Sequence, residues 1–486
     1  MKPCTSFSEP PWATLLRWLE RGRWWVFAGI GIVYAVGLNG RWRITSDSAF
    51  YVLKAYGWGH GEAGSTAGEL AWVPVGATPP GLPVLIAAGG GPGWGSGVLM
   101  LGFAAAALVL VYRLFLEHAD RRTAVLMVLL TGVSGMFYEW SFGLLTELPF
   151  AGGLLLLLWG HERRLKRRGA LWLALGMMAV GVLWMAAFRS VALVVVAAYV
   201  LAEGIRLVGR RDQRGLGTAI VGLALAGGFG LWLSSSAVRD DVAFFFGALG
   251  DRGLEGYWFN FRGLMVESLP EAVFGQDVPP SLAWPASVLV VVLGLYLVRA
   301  RLLWAVLIGV LLLQWVVFVH DPRYALPVLP LLFFGLWRGG LGVLGRWREP
   351  WRLLGFVVLG LAVCGANVVG VVNTVREQRS PAFYEAYRSG KYAAAVELSE
   401  IIRAATPVDA ELIVAVPPEM ALELSALSGR GVVVAGEAGP SAYLVGEFSD
   451  AVESGLMEAG RGVGPVLGRA VDRRSGEVWT LRQLDP

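Results

Sequence analysis

From Trp24 to Asn373 the chain repeats one pattern: an apolar run, then a short charged or Gly/Pro-rich stretch, with Trp common near the run ends. A hydrocarbon layer takes roughly 20 apolar residues in helix, and tryptophan settles at its borders. Read this way, the pattern predicts about eleven spanning helices, near 24–39, 97–116, 123–138, 147–160, 170–187, 190–207, 216–236, 284–298, 302–319, 324–338 and 353–373. The run at 147–160 is short for a crossing and is expected to tilt or to be only partly inserted. Residues 80–90, beginning Pro80-Gly81-Leu82-Pro83, are too few to span and predict an interfacial or re-entrant piece. After Asn373 the pattern becomes that of a soluble α/β domain. It predicts a helix over 381–405, a strand over Glu411–Val416, a helix over 418–428, and strands near 431–434, 441–446, 464–471 and 476–483.

Composition agrees with a lipid-facing chain. Of the 486 residues 56% are hydrophobic and only 16% charged, more apolar surface than a single soluble core needs. The net charge of +4 does not mark a nucleic-acid binder, because the basic residues sit in short loops between spans. They instead set the topology. With a cytoplasmic N-terminus, the inner loops hold 22 Lys and Arg against about eight on the other side. This places loops 40–96 and 237–283, and the whole of 374–486, on the extracytoplasmic side of a bacterial-type plasma membrane. Residues 1–373 form the membrane domain, with the first span retained as a signal anchor. Cys4 and Cys364 offer neither a disulfide framework nor a metal site.

The first outer loop carries the most chemistry. Asp47 lies a few residues beyond the first span, Tyr51 follows four residues on, and Thr78-Pro79-Pro80-Gly81-Leu82-Pro83 closes the loop. Asp47 has an alternative reading, since Ser46 or Asp47 is a natural N-cap for a helix over 48–56. Glu147 stands in Leu144-Leu145-Thr146-Glu147-Leu148-Pro149-Phe150, where a carboxylate is costly unless it faces a cavity or complements a helix N-terminus. Arg189 follows Phe188, and Arg323 stands in His320-Asp321-Pro322-Arg323-Tyr324-Ala325-Leu326-Pro327. Each arginine also reads as a snorkelling interface residue, and Arg323 as a partner of Asp321.

These four elements, in this order, resemble the GT-C superfamily of membrane glycosyltransferases, in the branch of protein mannosyltransferases, aminoarabinose transferases and Rgt-type sugar transferases. The resemblance covers about residues 20–340. Pro418-Glu419 and Leu427-Ser428-Gly429-Arg430 also look like parts of the soluble domain that some members carry. It implies a GT-C-like bundle and inverting transfer of a sugar from a polyprenyl-phosphate donor to a hydroxyl of a glycan, lipid or protein acceptor, without a required cofactor; divalent metal stays open. An attacking hydroxyl needs a base, for which Asp47 is the candidate with Glu147 assisting, and a leaving phosphate needs fixed positive charge. Arg323 and Arg189 are expected to supply that charge, with Arg43 and His320 as further candidates and Tyr51 and Tyr324 as substrate contacts. One departure stands out: aminoarabinose transferases place a Lys before the Pro-Pro pair, where this chain has Thr78. The rival reading, a transporter or lipid-linked-sugar flippase, expects charges at midplane and repeated halves, and a partner-binding scaffold is a third.

Several other features have plain readings. His60-Gly61-Glu62 is too poor in ligands for a metal, and Gly89–Gly97 lacks the Lys-Ser/Thr ending of a nucleotide loop. Asp240-Asp241 and Tyr257-Trp258 suit a solvated loop and an aromatic belt as well as a metal or a sugar. The basic run Glu162–Arg168 reads as topogenic.

Overall fold

The computed structural model describes residues 11–38, 46–59, 79–89, 94–166, 171–208, 222–224, 227–228, 253–275, 278–294, 301–317, 321–347, 349–379, 392–407, 411–414, 424, 431–434, 443–447, 463–471 and 478–484. The first half holds α1 (Pro11–Arg21), α2 (Arg23–Gly37), α3 (Ser46–Gly59), α4 (Gly81–Ala88), α5 (Trp94–His118), α6 (Arg121–Gly132), α7 (Gly135–Trp140), α8 (Glu147–Leu165), α9 (Leu171–Phe188) and α10 (Ala192–Val208). Then follow α11 (Leu254–Gly263), a π turn at Leu264–Ser268 and α12 (Leu269–Phe274). The remaining membrane helices are α13 (Pro280–Gly294), α14 (Leu302–Val317), α15 (Leu329–Leu344), α16 (Glu349–Gly360) and, after a second π turn, α17 (Ala366–Arg379).

Among the described residues three helical stretches are long and apolar enough to cross a membrane, Trp94–His118, Leu171–Phe188 and Val357–Arg376, and five shorter apolar helices accompany them. Ile32, Val109, Leu173, Val292, Leu313 and Leu361 stay exposed, a surface that water would not tolerate and lipid satisfies. Trp24, Trp25, Trp94, Trp172 and Trp351 are exposed near helix ends, where an interfacial belt would hold them. The chain is a polytopic helical membrane protein.

The helix expected at 147–160 is longer than its apolar run, continuing to Leu165. Its last turn stays inside protein because Glu162 and Arg164 find partners on neighbouring helices. The basic run that begins at Glu162 is therefore partly a packing device: Arg164 meets Glu203 at 2.6 Å, and Arg163 lies 3.8 Å from Glu117. Helices α8 and α9 pack closely through glycine. A Cβ on Gly181 would stand 2.7 Å from the Gly153 carbonyl oxygen and 2.8 Å from Leu157 N, both backbone atoms that cannot retreat.

The span expected at 123–138 is broken. α6 ends at Gly132, whose carbonyl accepts the Tyr34 hydroxyl at 3.1 Å, and Ser134 caps α7 by accepting from Phe137 N. The first N–H of α7, on Gly135, donates to Asn367 Oδ1 at 3.0 Å. The same Asn367 amide donates to the Val273 carbonyl at the end of α12 and to the Val363 carbonyl within the second π turn. At the first π turn Ser287 of α13 takes the freed Met265 carbonyl at 2.6 Å. The span expected from 324 begins later, at Leu329, because Pro322–Ala325 form a 3-10 turn capped by Asp321. The short piece expected over 80–90 is the eight-residue α4.

The C-terminal region contains α18 (Tyr392–Ala405), β1 (Glu411–Val414), β2 (Gly431–Val434), β3 (Tyr443–Glu447), β4 (Val463–Val471) and β5 (Val478–Leu484). The sheet order is β2-β1-β3-β5-β4, with β1 parallel to β2 and β3 and the other pairs antiparallel. Leu398 and Ile402 of α18 are buried, and Ile401 of that helix packs where a Cβ on Gly468 of β4 would lie. Of the helix expected over 418–428 only Leu424 is described.

Candidate active site

Helices α8 and α9 run antiparallel, so the first residue of α8 and the residue after α9 meet at one end of the bundle. These are Glu147 and Arg189, joined by an ion pair between Oε1 and Nη1. The Gly81 backbone lies so near the Ala187 carbonyl and Phe188 that a Cβ would collide, which gives the Pro-Pro-Gly pattern its physical reason. α3 packs on α4 and returns Asp47 and Tyr51 to the same end. The 3-10 turn adds Asp321, Arg323 and Tyr324 from between α14 and α15.

Arg323 is the hub. Its Nη2 lies 2.6 Å from Asp47 Oδ2, and its Nε lies 2.9 Å from Asp321 Oδ2 and 3.7 Å from Glu147 Oε1. The guanidinium carbons of Arg189 and Arg323 sit 5.0 and 5.2 Å from the Tyr324 ring centroid, so one aromatic ring supports both cations. Tyr51 shares a hydrogen bond with Thr146 at 3.3 Å, on the residue just before Glu147.

Burial grades the cluster. Glu147 and Arg323 are 3% and 12% exposed at the side chain, whereas Asp47 is 43% exposed and forms the open lip. Glu147 Oε2 is buried without a hydrogen-bond partner, an acceptor that an incoming hydroxyl would satisfy. The Arg323 Nε–H, though close to Asp321, is likewise not aligned on any acceptor. Burial pushes the Asp321 carboxyl above its ordinary range, against the opposing pull of Arg323. Burial, reinforced by Asp47 and Glu147, also raises the Tyr51 hydroxyl and keeps it protonated. For Arg323 burial works toward proton loss, but Glu147, Asp47 and Asp321 outweigh it and hold the cation.

The structure thus brings together Asp47, Tyr51, Glu147, Arg189, Arg323 and Tyr324 from four separate stretches of chain. Arg43, His320 and Thr78 lie outside the described residues, as do His60, Glu62, Asp240 and Asp241. Trp258 of α11 is exposed and stacks near Phe261, as an interfacial aromatic would. Asp47 stands in the first turn of α3 with its carboxylate on Arg323, so its partner is a distant cation. Asp321 and Thr146 were not singled out from sequence as site residues, although both sit inside the quoted motifs. Among the described residues no group of three His, Cys, Asp or Glu is placed to hold a metal.

No family model and no curated protein matches the chain. Solved structures do. ArnT from Cupriavidus metallidurans bound to undecaprenyl phosphate superposes with a TM-score of 0.60 at 14% identity, over 94% of this chain and 97% of that one. Its apo state gives 0.58 over the same shares at the same identity. The oligosaccharyltransferase of Archaeoglobus fulgidus, tethered to an acceptor peptide, gives 0.55 at 10% identity over 88% of this chain and 69% of its own. The chain therefore shares its fold with the ArnT and oligosaccharyltransferase structures.

Proposed function

We propose that the chain is an inverting glycosyltransferase that moves a sugar from a polyprenyl-phosphate donor to an acceptor hydroxyl at the outer face of the membrane. The observation that carries this reading is the convergence of two mostly buried arginines with a half-exposed carboxylate at one end of the bundle. It gains support from the fold shared with an ArnT structure that holds undecaprenyl phosphate. A transporter would need its charges near midplane, whereas among the described residues the ion pairs of the membrane helices gather at their two ends.

In this scheme the donor phosphate sits on Arg323 and Arg189, which neutralise the charge that builds on its oxygens as the bond to the sugar C1 breaks. Tyr324 keeps the two guanidiniums at a common depth. The acceptor oxygen attacks C1 from the opposite side, passing its proton to Asp47 as the new C1–O bond forms. Polyprenyl phosphate leaves with the bonding electrons, so no general acid is required. Glu147 accepts a hydrogen bond from the acceptor through its unpartnered oxygen. With a cytoplasmic N-terminus, the site and the C-terminal domain share the outer side.

The test is sugar transfer from a synthetic polyprenyl-phosphate donor by the detergent-purified chain. Transfer by the wild type and not by Asp47→Asn supports the scheme; equal transfer removes Asp47 as base. A cysteine placed at Ser389 should react with an impermeant reagent from outside, and reaction only from the cytoplasm overturns the orientation.

A further inference from the structure

Both two-donor edges of Arg323 are already engaged at Nη2. A guanidinium offers two adjacent donors only along its Nε–Nη2 and Nη1–Nη2 edges, and Nη2, common to both, here faces Asp47 at 2.6 Å and the Tyr324 hydroxyl at 3.4 Å, while Nε lies near Asp321 and Glu147. A phosphate that takes the guanidinium edge-on needs two adjacent donors, so one present partner must give way. The three carboxylates differ in how firmly they are held. Asp321 also accepts the Arg323 backbone N–H at 3.0 Å and thereby caps the 3-10 turn. Glu147 is buried and also paired with Arg189. Asp47 is the most exposed of the three, and among the described residues its one ion pair is with Arg323. Asp47 is the partner that yields.

Resting on the transferase reading above, we infer that Arg323 keeps Asp47 occupied until donor phosphate takes the guanidinium, so that the base becomes available only after the donor has bound. A carboxylate oxygen 2.6 Å from a guanidinium nitrogen is filled and poorly placed to receive an acceptor proton. When phosphate displaces it, like-charge repulsion turns Asp47 away from the phosphate and toward the open lip where an acceptor arrives. The order is donor first, acceptor second.

The probe is undecaprenyl phosphate without sugar, titrated into the detergent-purified full chain. Because Asp47 competes with phosphate, Asp47→Asn should bind the probe about 5-fold more tightly than wild type, the worth of a partly exposed ion pair. Asp47→Ser should do the same and serves if the asparagine variant misfolds. Arg323→Ala should bind at least about 10-fold more weakly. Asp47→Asn/Arg323→Ala should match Arg323→Ala, since the competitor has nothing left to compete for. If Asp47→Asn and Asp47→Ser bind no more tightly than wild type while Arg323→Ala weakens binding, the ordered release is wrong and the phosphate site stands. If Arg323→Ala binds as wild type does, the phosphate site itself falls, and the ordered release with it.

Discussion

Helix α8 carries a charge cluster at each end, and the two differ in a way that separates architecture from chemistry. At the far end Glu162 meets Arg301 at 3.1 Å and His118 at 3.4 Å, while Glu203 of α10 meets Arg164 and lies 3.7 Å from His161. His118 stacks on Trp304 with centroids 4.3 Å apart, and His161 bonds the Tyr199 hydroxyl at 2.9 Å. Two carboxylates face two arginines there, both carboxylates are almost fully buried, and the contacts tie α5, α8, α10 and the start of α14 together. At the Glu147 end three carboxylates share two arginines, and one of them, Asp47, is nearly half exposed. Balanced, enclosed charge holds helices. Unbalanced charge with an open lip is ready for a substrate that changes the balance.

This contrast predicts opposite failures. The largest effect is expected at the Glu147 end: Asp47→Asn should lower turnover by about 10²–10⁴, the span of general-base catalysis, with an unchanged melting temperature. A comparable loss of melting temperature would make Asp47 a structural residue. At the other end Glu162→Ala leaves the mostly buried His118 and the one-third-exposed Arg301 without their anion and should destabilise by about 3 kcal/mol, with normal specific activity in the fraction that remains folded. Thermal denaturation in detergent beside an activity assay separates the two. Gly181→Val inserts a side chain between α8 and α9 midway between the clusters and should cost about 1–3 kcal/mol while weakening both ends together.

The smallest effect concerns pH. Asp321 has its carboxyl pushed up by burial, so folding favours its protonated form. Its contribution to stability is therefore greatest below the ordinary carboxylate range and is lost as pH rises through the raised value. Melting temperature followed upward from acid pH should fall slightly less in Asp321→Asn than in wild type. Equal slopes would show that Arg323 cancels the burial.

The apolar runs made most helices legible, because lipid demands them in the sequence itself. The break between α6 and α7 was not legible. Val133 and Ser134 stand in an unbroken-looking stretch, and the groups that make the break tolerable come from Tyr34 and Asn367, far along the chain. The site residues could be named because a charge in an apolar neighbourhood is conspicuous, as with Glu147 and Arg189. The far cluster escaped notice for the converse reason. Glu162 and Arg164 lie within a basic run that reads as solvated, and nothing local reveals Glu203 or Arg301 as partners.

Asn367 also bears on how the chain is made. Synthesis proceeds from the N-terminus, so the Gly135 N–H and the Val273 carbonyl emerge long before the amide that will satisfy both. Until the last membrane helix enters, α7 and α12 hold open bonds inside an unfinished bundle, at a cost that lipid cannot relieve. Assembly of this half of the protein is thus completed by its final helix, and a ribosome stalled before residue 367 would leave a chain whose earlier helices lack the residue that fastens them.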